Sequence, residues 1–327
     1  MSLVWGLVVA VCCAPAIAVF ARRFGIVDRP GNLKIHERPI PLLGGVAVGI
    51  AWIAAAAIAG AHVPGGVVAA VGVSFAVGLL DDLRTLPPLV RIAGQTGAGA
   101  VLVATGFRIG PLGFLAIPVT ILATIASCNG VNLVDGLDGL AAGCAALSAA
   151  GIAAIAVGSG LSGAPALALV GAASGFLVWN VRPARMFLGD AGAYMIGTAL
   201  IALVAMAAHA IGFRALAGAA CCFGVFIVEP VEAMVRRIAR GQPVTSGDRD
   251  HMYDRLARRL GSIRIAVAAM WGYQAIAVAV GVSLARRPAA LPLTIAVAVA
   301  AVVLPRTAMR RNAPVATTGR ESAADHR

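Results

Sequence analysis

A short polar stretch, residues 129–140, has the residue types and the spacing that could carry chemistry. It reads Asn-Gly-Val-Asn-Leu-Val-Asp-Gly-Leu-Asp-Gly-Leu, so Asn129, Asn132, Asp135 and Asp138 recur every three residues. On a helix or a 3₁₀ turn, this spacing places all four side chains on roughly one face. A polar turn between two helices is the alternative, but such a turn needs only one or two of these residues. Carboxylates beside apolar runs are costly unless cations or ligands meet them, so the stretch predicts a binding site.

Two other acidic motifs could belong to the same site. Asp81 and Asp82 follow the apolar residues Gly-Leu-Leu near the end of a predicted helix. Adjacent carboxylates repel each other and a helix C-terminus disfavours anions, so a metal or a basic partner is expected there, with a solvated helix end as the alternative. Asp190 closes a segment that begins at Asn180 and contains Phe187. Its place before an apolar run is also that of an ordinary helix N-cap.

Basic loops supply the opposite charge. An early loop, residues 27–45, contains Lys34 and His36, and a late polar loop contains Arg249 and His251. Each loop could also be an ordinary basic loop or a solvated surface helix. Oxygen ligands without clustered His or Cys suit Mg²⁺ or Mn²⁺. A metal beside cationic loops suits a substrate that carries phosphates.

The elements that must position these residues are membrane helices. Hydrophobic residues make up 60% of the 327 residues and charged residues 12%, whereas soluble domains have about 25% charged residues. We therefore predict an all-α polytopic membrane protein, with residues 1–304 as the transmembrane catalytic domain and 305–327 as a disordered cytoplasmic tail. The apolar runs predict about eleven spans, near residues 3–20, 44–61, 65–80, 92–107, 114–128, 139–157, 165–180, 191–208, 214–231, 263–285 and 289–304.

The distribution of charge predicts the orientation of these spans. With the N-terminus outside and the C-terminus in the cytoplasm, the outer loops hold only Arg108, Arg214, Arg286 and Arg287 among the basic residues. The same orientation places every Asp and Glu on the cytoplasmic side. The net charge of +12 is explained by loop arginines, so no nucleic-acid partner is expected. The six cysteines have no metal-ligand spacing, and neither zinc nor a disulfide framework is indicated.

The motifs together resemble one known family. From residue 28 to residue 256 the chain contains, in order, DRPGNLKIH…GG, GLLDD, NxxNxxDGxDGL, NxxPAxxFLGD and GDRxH. This order resembles the polyprenyl-phosphate N-acetylhexosamine-1-phosphate transferases of glycosyltransferase family 4. The bacterial UDP-GlcNAc:undecaprenyl-phosphate branch is the more similar one. The phospho-N-acetylmuramoyl-pentapeptide translocases are less similar, because their Thr-Pro-Thr-Met-Gly-Gly signature meets Ile-Pro-Leu-Leu-Gly-Gly at residues 40–45.

The resemblance implies a reaction in the plasma membrane of a bacterium, at its cytoplasmic face. HexNAc-1-phosphate, most directly GlcNAc-1-phosphate, would pass from a UDP-sugar to a polyprenyl phosphate with Mg²⁺, or alternatively Mn²⁺, as the cofactor. The products would be polyprenyl-diphospho-HexNAc, which initiates a cell-envelope glycan, and UMP.

The resemblance also implies roles by motif position. Asn132 and Asp190 would hold the metal, while Asp81 and Asp82 would position or deprotonate the attacking lipid phosphate. Phe187 would stack on the uracil. The full set of expected substrate-binding residues is Lys34, His36, Asp135, Asp138, Asn180, Phe187, Arg249 and His251.

Two departures from the family pattern concern the sugar. The usual HxHH motif is here His251-Met-Tyr-Asp254, and the usual Pro-x-Asp is Pro230-Val-Glu232. UDP-GalNAc, a modified HexNAc and UDP-MurNAc-pentapeptide therefore stay open as donors. Alternatives of another class are a catalytically inactive scaffold and an ion-coupled transporter, although no Asp or Glu falls in the middle of a span, where transporters place them. The sequence also leaves open prenyl length, direct or two-step attack, and the oligomeric state, including a homodimer.

Overall fold

The computed structural model describes residues 1–30, 38–110, 112–207, 211–243 and 250–286. In these residues the fold is almost entirely helical, with one 3₁₀ turn at Gly113–Leu115 and two short strands, β1 (Val27–Asp28) and β2 (Ile40–Pro41), paired antiparallel. The α-helices are α1 Ser2–Arg23, α2 Gly44–Ile58, α3 Gly65–Leu83, α4 Pro88–Ala104, α5 Ala116–Val134, α6 Leu140–Gly158, α7 Ala164–Asn180, α8 Gly189–Ala207, α9 Phe213–Cys221, α10 Gly224–Ala239, α11 Met252–Leu260 and α12 Ile263–Arg286.

The helices have the length and composition of a multi-pass membrane protein. Within the described ranges, six are long and apolar enough to cross a membrane, namely α1, α3, α5 with its preceding turn, α6, α8 and α12. The bent pair α9–α10 would make seven, and α2, α4 and α7 are apolar but shorter. The predicted all-α class is therefore confirmed, whereas eleven crossings stays a prediction. The predicted span 289–304 and the predicted tail 305–327 lie outside the described residues.

The ninth predicted span, residues 214–231, is divided in the structure. The axes of α9 and α10 differ by 66°. The break is held by Gln274 of α12, which is fully buried. Its Oε1 accepts the Val225 N–H at 2.8 Å, and its Nε2 donates to the Cys222 carbonyl oxygen at 2.7 Å and to Ser148 Oγ at 2.9 Å. Backbone groups that lose their helical hydrogen bonds in an apolar environment must find other partners. The apolar run at residues 214–231 did not indicate this break.

Small residues allow the helices to approach closely. A Cβ at Gly171 of α7 would collide with the Leu3 carbonyl oxygen of α1, and a Cβ at Gly78 of α3 would collide with the Asp190 carbonyl oxygen of α8. Such close contacts are typical of helix packing in membranes. Lipid tails are as apolar as the helix side chains, so the helices associate through close packing at small residues rather than through apolar burial. The second contact sets the end of α3 against the start of α8.

The segment that joins α7 to α8 is bound to the strand pair. The Phe187 N–H donates to the Pro41 carbonyl oxygen at 2.9 Å, and the Phe187 carbonyl oxygen accepts the Gly44 N–H at 3.0 Å. Gly45 N–H continues the pairing by donating to the Leu188 carbonyl oxygen at 3.2 Å. The polar segment before α8 is thereby fixed beside the entry to α2.

Candidate active site

The polar motifs meet around an open cavity of about 630 Å³. It lies where α3, α5 and α7 end and where α6 and α8 begin. The residues predicted from sequence that line it are Asp82, Asn132, Asp135, Asp138, Asn180, Phe187 and Asp190.

Two predicted residues that the structure describes, Asp81 and His251, are buried but are not part of the cavity wall. Lys34, His36 and Arg249 fall outside the described residues. The expected roles of these five residues stay predictions.

Asp82 binds the N-terminus of α8. Its Oδ1 accepts the Asp190 N–H at 2.9 Å and its Oδ2 accepts the Ala191 N–H at 3.0 Å. A carboxylate at this position satisfies unpaired helical N–H groups and the positive end of the helix dipole. Gly189, which precedes Asp190, has φ +74°, and a Cβ there would lie 2.7 Å from Asp82 Oδ2. The sequence suggested that Asp190 itself could cap this helix, but the cap comes from α3.

Asp190 is free of the capping role and instead contacts the end of α5. The Asn132 side-chain amide Nδ2 donates to Asp190 Oδ1. This hydrogen bond joins the two residues expected to hold a metal and brings the motif of residues 129–140 to the motif that ends at Asp190.

Asp81 is not part of the cavity wall although it is adjacent to Asp82. Its Oδ1 accepts the Leu86 N–H at 2.8 Å, and its Oδ2 accepts the Tyr194 hydroxyl at 3.0 Å. Arg91 Nη1 lies 3.4 Å from the same Oδ2. The two neighbouring carboxylates therefore have different partners: that of Asp81 lies beside an arginine, and that of Asp82 lies at a helix N-terminus.

Asn180 and Asp138 fix the loop that follows α5. Asn180 Oδ1 accepts the Gly139 N–H at 3.0 Å, and its Nδ2 donates to the Met186 carbonyl oxygen at 2.9 Å. Asp138 Oδ2 accepts the Ala184 N–H at 3.1 Å. Each side chain ties the residue 135–139 loop to the segment after α7, so both have a structural function as well as a place in the cavity wall.

Asn129, the first residue of the period-three series, does not share the cavity with the other three. Its Nδ2 donates to Gln95 Oε1 on α4 at 2.7 Å. An α-helix has 3.6 residues per turn, so a spacing of three drifts around the helix, and α5 ends at Val134 before the series is complete. The expectation that all four side chains share one face is therefore wrong for Asn129.

Carboxyl groups outnumber basic groups in the described cavity wall. Burial raises the pKa of Asp135 well above its usual range, and the neighbouring carboxylates of Asp190, Asp82 and Asp138 raise the pKa further. In the described part of the chain, however, no three His, Cys, Asp or Glu side chains are arranged to hold a metal ion among themselves. The protein thus presents acidic oxygens around an open space rather than a closed metal cage.

Sequence reasoning missed three charged residues of the cavity wall, namely Asp28, Arg182 and Arg264. Arg182 Nη1 lies 3.7 Å from Asp138 Oδ2, and Arg264 Nη2 donates to the Arg182 carbonyl oxygen at 3.3 Å. Asp28 opens the first family motif and Arg182 lies inside the fourth, so motif membership could have indicated both. Arg264, at the start of α12, belongs to none of the motifs.

An apolar groove of about 600 Å³ lies between α5, α8, α9 and α10. Its wall is mostly aliphatic and aromatic, and the bend between α9 and α10 shapes it. Asn129 lines this groove, and Asn132, one turn later on α5, lines the polar cavity. One helix therefore borders both spaces.

Comparison with known proteins identifies the family. Residues 65–209 match the model of glycosyl transferase family 4. The chain is 30% identical to a Bacillus subtilis (strain 168) protein named "Probable undecaprenyl-phosphate N-acetylglucosaminyl 1-phosphate transferase", over 78% of this chain and 76% of that one. It is 33% identical to the decaprenyl-phosphate N-acetylglucosaminephosphotransferase of Mycolicibacterium smegmatis, over 77% and 73%. It is 30% identical to the undecaprenyl-phosphate alpha-N-acetylglucosaminyl 1-phosphate transferase of Yersinia pestis, over 73% and 71%. The chain therefore belongs to the polyprenyl-phosphate N-acetylhexosamine-1-phosphate transferases of glycosyl transferase family 4.

Proposed function

We propose that this protein transfers GlcNAc-1-phosphate from UDP-GlcNAc to a polyprenyl phosphate, giving polyprenyl-diphospho-GlcNAc and UMP. The relatives named above are called transferases of this kind. The observation that carries the proposal is the meeting of Asp82, Asn132, Asp135 and Asp190 around one open cavity. Acidic oxygens suit a hard metal ion, and the metal suits the diphosphate of a nucleotide sugar.

The residues of the cavity fit Mg²⁺. Repulsion between Asp135 and its three carboxylate neighbours would be relieved by a divalent cation. Mg²⁺ is usually bound by one or two carboxylates together with substrate phosphates rather than by an all-protein cage, which agrees with the open arrangement. We assign Asp190 and Asn132 to this metal. The bound ion would neutralise charge on the donor diphosphate and on the departing UMP.

The reaction breaks one bond and makes one bond. An oxygen of the acceptor phosphate attacks the sugar-linked phosphorus of the donor, and the bond from that phosphorus to the bridging oxygen breaks, so the electron pair leaves with UMP. Arg182 and Arg264 in the cavity wall offset phosphate charge during binding. Asp135 and Asp138 bind the nucleoside and sugar, and Phe187 stacks on the uracil. Asp82 holds the start of α8, so that Asp190 faces the donor.

The apolar groove supports a lipid acceptor. Its wall provides an apolar surface, which suits an isoprenoid chain, while the phosphate must reach the polar cavity. Asn129 and Asn132 border the two spaces one helical turn apart on α5. A lipid in the groove can therefore bring its headgroup toward Asn132 without leaving the helix surface.

The orientation of the protein is also a proposal. We propose that the cavity faces the cytoplasm of a bacterium, because the charge asymmetry puts the basic loops on that side. Reporter fusions at both ends measure this. A cytoplasmic reporter signal from the N-terminus would overturn the orientation and the assignment of the cavity to the cytoplasm.

The test of the activity uses the purified full chain with undecaprenyl phosphate, Mg²⁺ and separate UDP-sugars. UDP-GlcNAc is expected to give UMP and a lipid product of the mass of undecaprenyl-diphospho-GlcNAc, and omission of the lipid or the metal is expected to abolish both. UDP-GalNAc and UDP-MurNAc-pentapeptide are the comparison donors. Turnover of the pentapeptide donor without turnover of UDP-GlcNAc would refute the sugar assignment. Absence of UMP with every donor would refute the reaction.

A further inference from the structure

The loop that carries Asp135 is held by an aromatic side chain from α11. The hydroxyl of Tyr253 donates to the Leu133 carbonyl oxygen at 3.1 Å. This carbonyl is one of the last four of α5, which an α-helix leaves without a partner of its own. Gly136 follows Asp135 on the other side, and a Cβ at Gly136 would overlap the Tyr253 hydroxyl. The phenol therefore contacts the chain on both sides of Asp135.

Tyr253 is itself anchored to α10. Glu229 of α10 is fully buried, and its Oε1 accepts the Met252 N–H at 2.8 Å. The same oxygen lies 3.1 Å from His251 Nδ1. The His251 ring stacks on the Tyr253 ring with centroids 5.1 Å apart and an interplanar angle of 9°. The contacts between Glu229, His251 and Tyr253 thus link α10 to the loop in the cavity wall.

We propose that Tyr253 is a positioning residue for donor binding, which acts by fixing the residue 135–139 loop and with it Asp135. This inference rests on the proposed function, because that function assigns Asp135 to the nucleoside and sugar. The phenol hydroxyl makes the hydrogen bond to the Leu133 carbonyl oxygen, so a ring without that hydroxyl would leave the loop without this support.

The first test measures the loop and needs no activity. Tyr253→Phe keeps the ring and its stacking on His251 but removes the hydroxyl. Amide hydrogen exchange in residues 133–139 is expected to accelerate about fivefold, the factor that one hydrogen bond is worth. Tyr273→Phe is the matched control, since the described structure gives its hydroxyl no hydrogen bond, and exchange in the loop is expected to stay at the wild-type rate. Unchanged exchange in Tyr253→Phe would overturn the proposal.

The second test measures donor binding by kinetics. For Tyr253→Phe, KM for UDP-GlcNAc is expected to rise about fivefold, while kcat and KM for the polyprenyl phosphate stay at wild-type values. A purely structural role would lower kcat or change both KM values. An unchanged donor KM would overturn the proposal even if exchange accelerates. If the wild type releases no UMP, the proposed function fails, and the exchange experiment still decides whether Tyr253 holds the loop.

A double-mutant cycle tests the contact itself. Gly136→Ala puts a methyl group where the Tyr253 hydroxyl lies, so it is expected to accelerate loop exchange in the wild-type background. In a Tyr253→Ala background the obstructing group is absent, and Gly136→Ala is expected to cause no further acceleration. Equal acceleration in both backgrounds would show that residues 136 and 253 act independently and would overturn the proposal.

Discussion

Asp190→Asn separates the metal assignment from the folding of α8. The N-terminus of α8 is capped by Asp82, whose carboxylate accepts the backbone N–H groups of Asp190 and Ala191. The side chain at position 190 takes no part in that cap. Asparagine also keeps an oxygen that can accept the Asn132 amide. The substitution therefore removes one negative charge but keeps the N-terminal cap of α8 and the hydrogen bond from Asn132.

The expected effect is a loss of turnover without a loss of stability. A hard divalent cation depends on the charge of its oxygen ligands, so we expect UMP release to fall at least about a hundredfold, which corresponds to about 2.7 kcal/mol of barrier. The expected melting temperature in detergent is that of the wild type. The concentration of Mg²⁺ that gives half-maximal turnover is expected to rise.

Asp82→Asn is the matched comparison. It changes the same chemical group, but one of its two capping oxygens becomes an amide that cannot accept the N–H facing it. The expected cost is about 1 kcal/mol of unfolding free energy, together with reduced turnover because the start of α8 shifts. UMP release against Mg²⁺ concentration and thermal unfolding are measured for both variants. Near-normal turnover in Asp190→Asn, or equal loss of stability in both variants, would refute the separation of roles.

Three other substitutions test the packing around the site. Gln274→Leu removes three hydrogen bonds at the bend between α9 and α10 and is expected to lower the unfolding free energy by about 2 kcal/mol; a melting temperature equal to the wild type would contradict this. Tyr194→Phe removes a donor to Asp81 and is expected to change UMP release less than about tenfold, because one of several hydrogen bonds is lost. A loss as large as that of Asp190→Asn would show that the Asp81 environment takes part in turnover. Gly171→Leu is expected to reduce the yield of folded protein in size-exclusion chromatography, because a Cβ there already collides with the Leu3 carbonyl oxygen. Gly272→Leu is the control, and it is expected to leave the yield unchanged because the space around Gly272 is open.

The sequence by itself determined the class of protein, the family and most of the polar residues that line the cavity. Hydropathy depends on local composition, so long apolar runs predict membrane helices without knowledge of their packing. Asn132, Asp135, Asp138 and Asp190 stand in motifs whose order was enough for the family resemblance. Their side chains meet because the motifs sit at helix ends on one side of the bundle, which the alternation of apolar runs and polar loops already implied.

Only the tertiary structure decided which partner each of the site residues contacts. Asp81 and Asp82 are adjacent in the sequence, but one pairs with Arg91 and the other binds the start of α8, because side chains one residue apart on a helix point in different directions. The bend held by Gln274 and the contact of Tyr253 with Leu133 join segments 49 and 120 residues apart in the chain. No local pattern encodes such partners, since they depend on which helices pack together and at what depth.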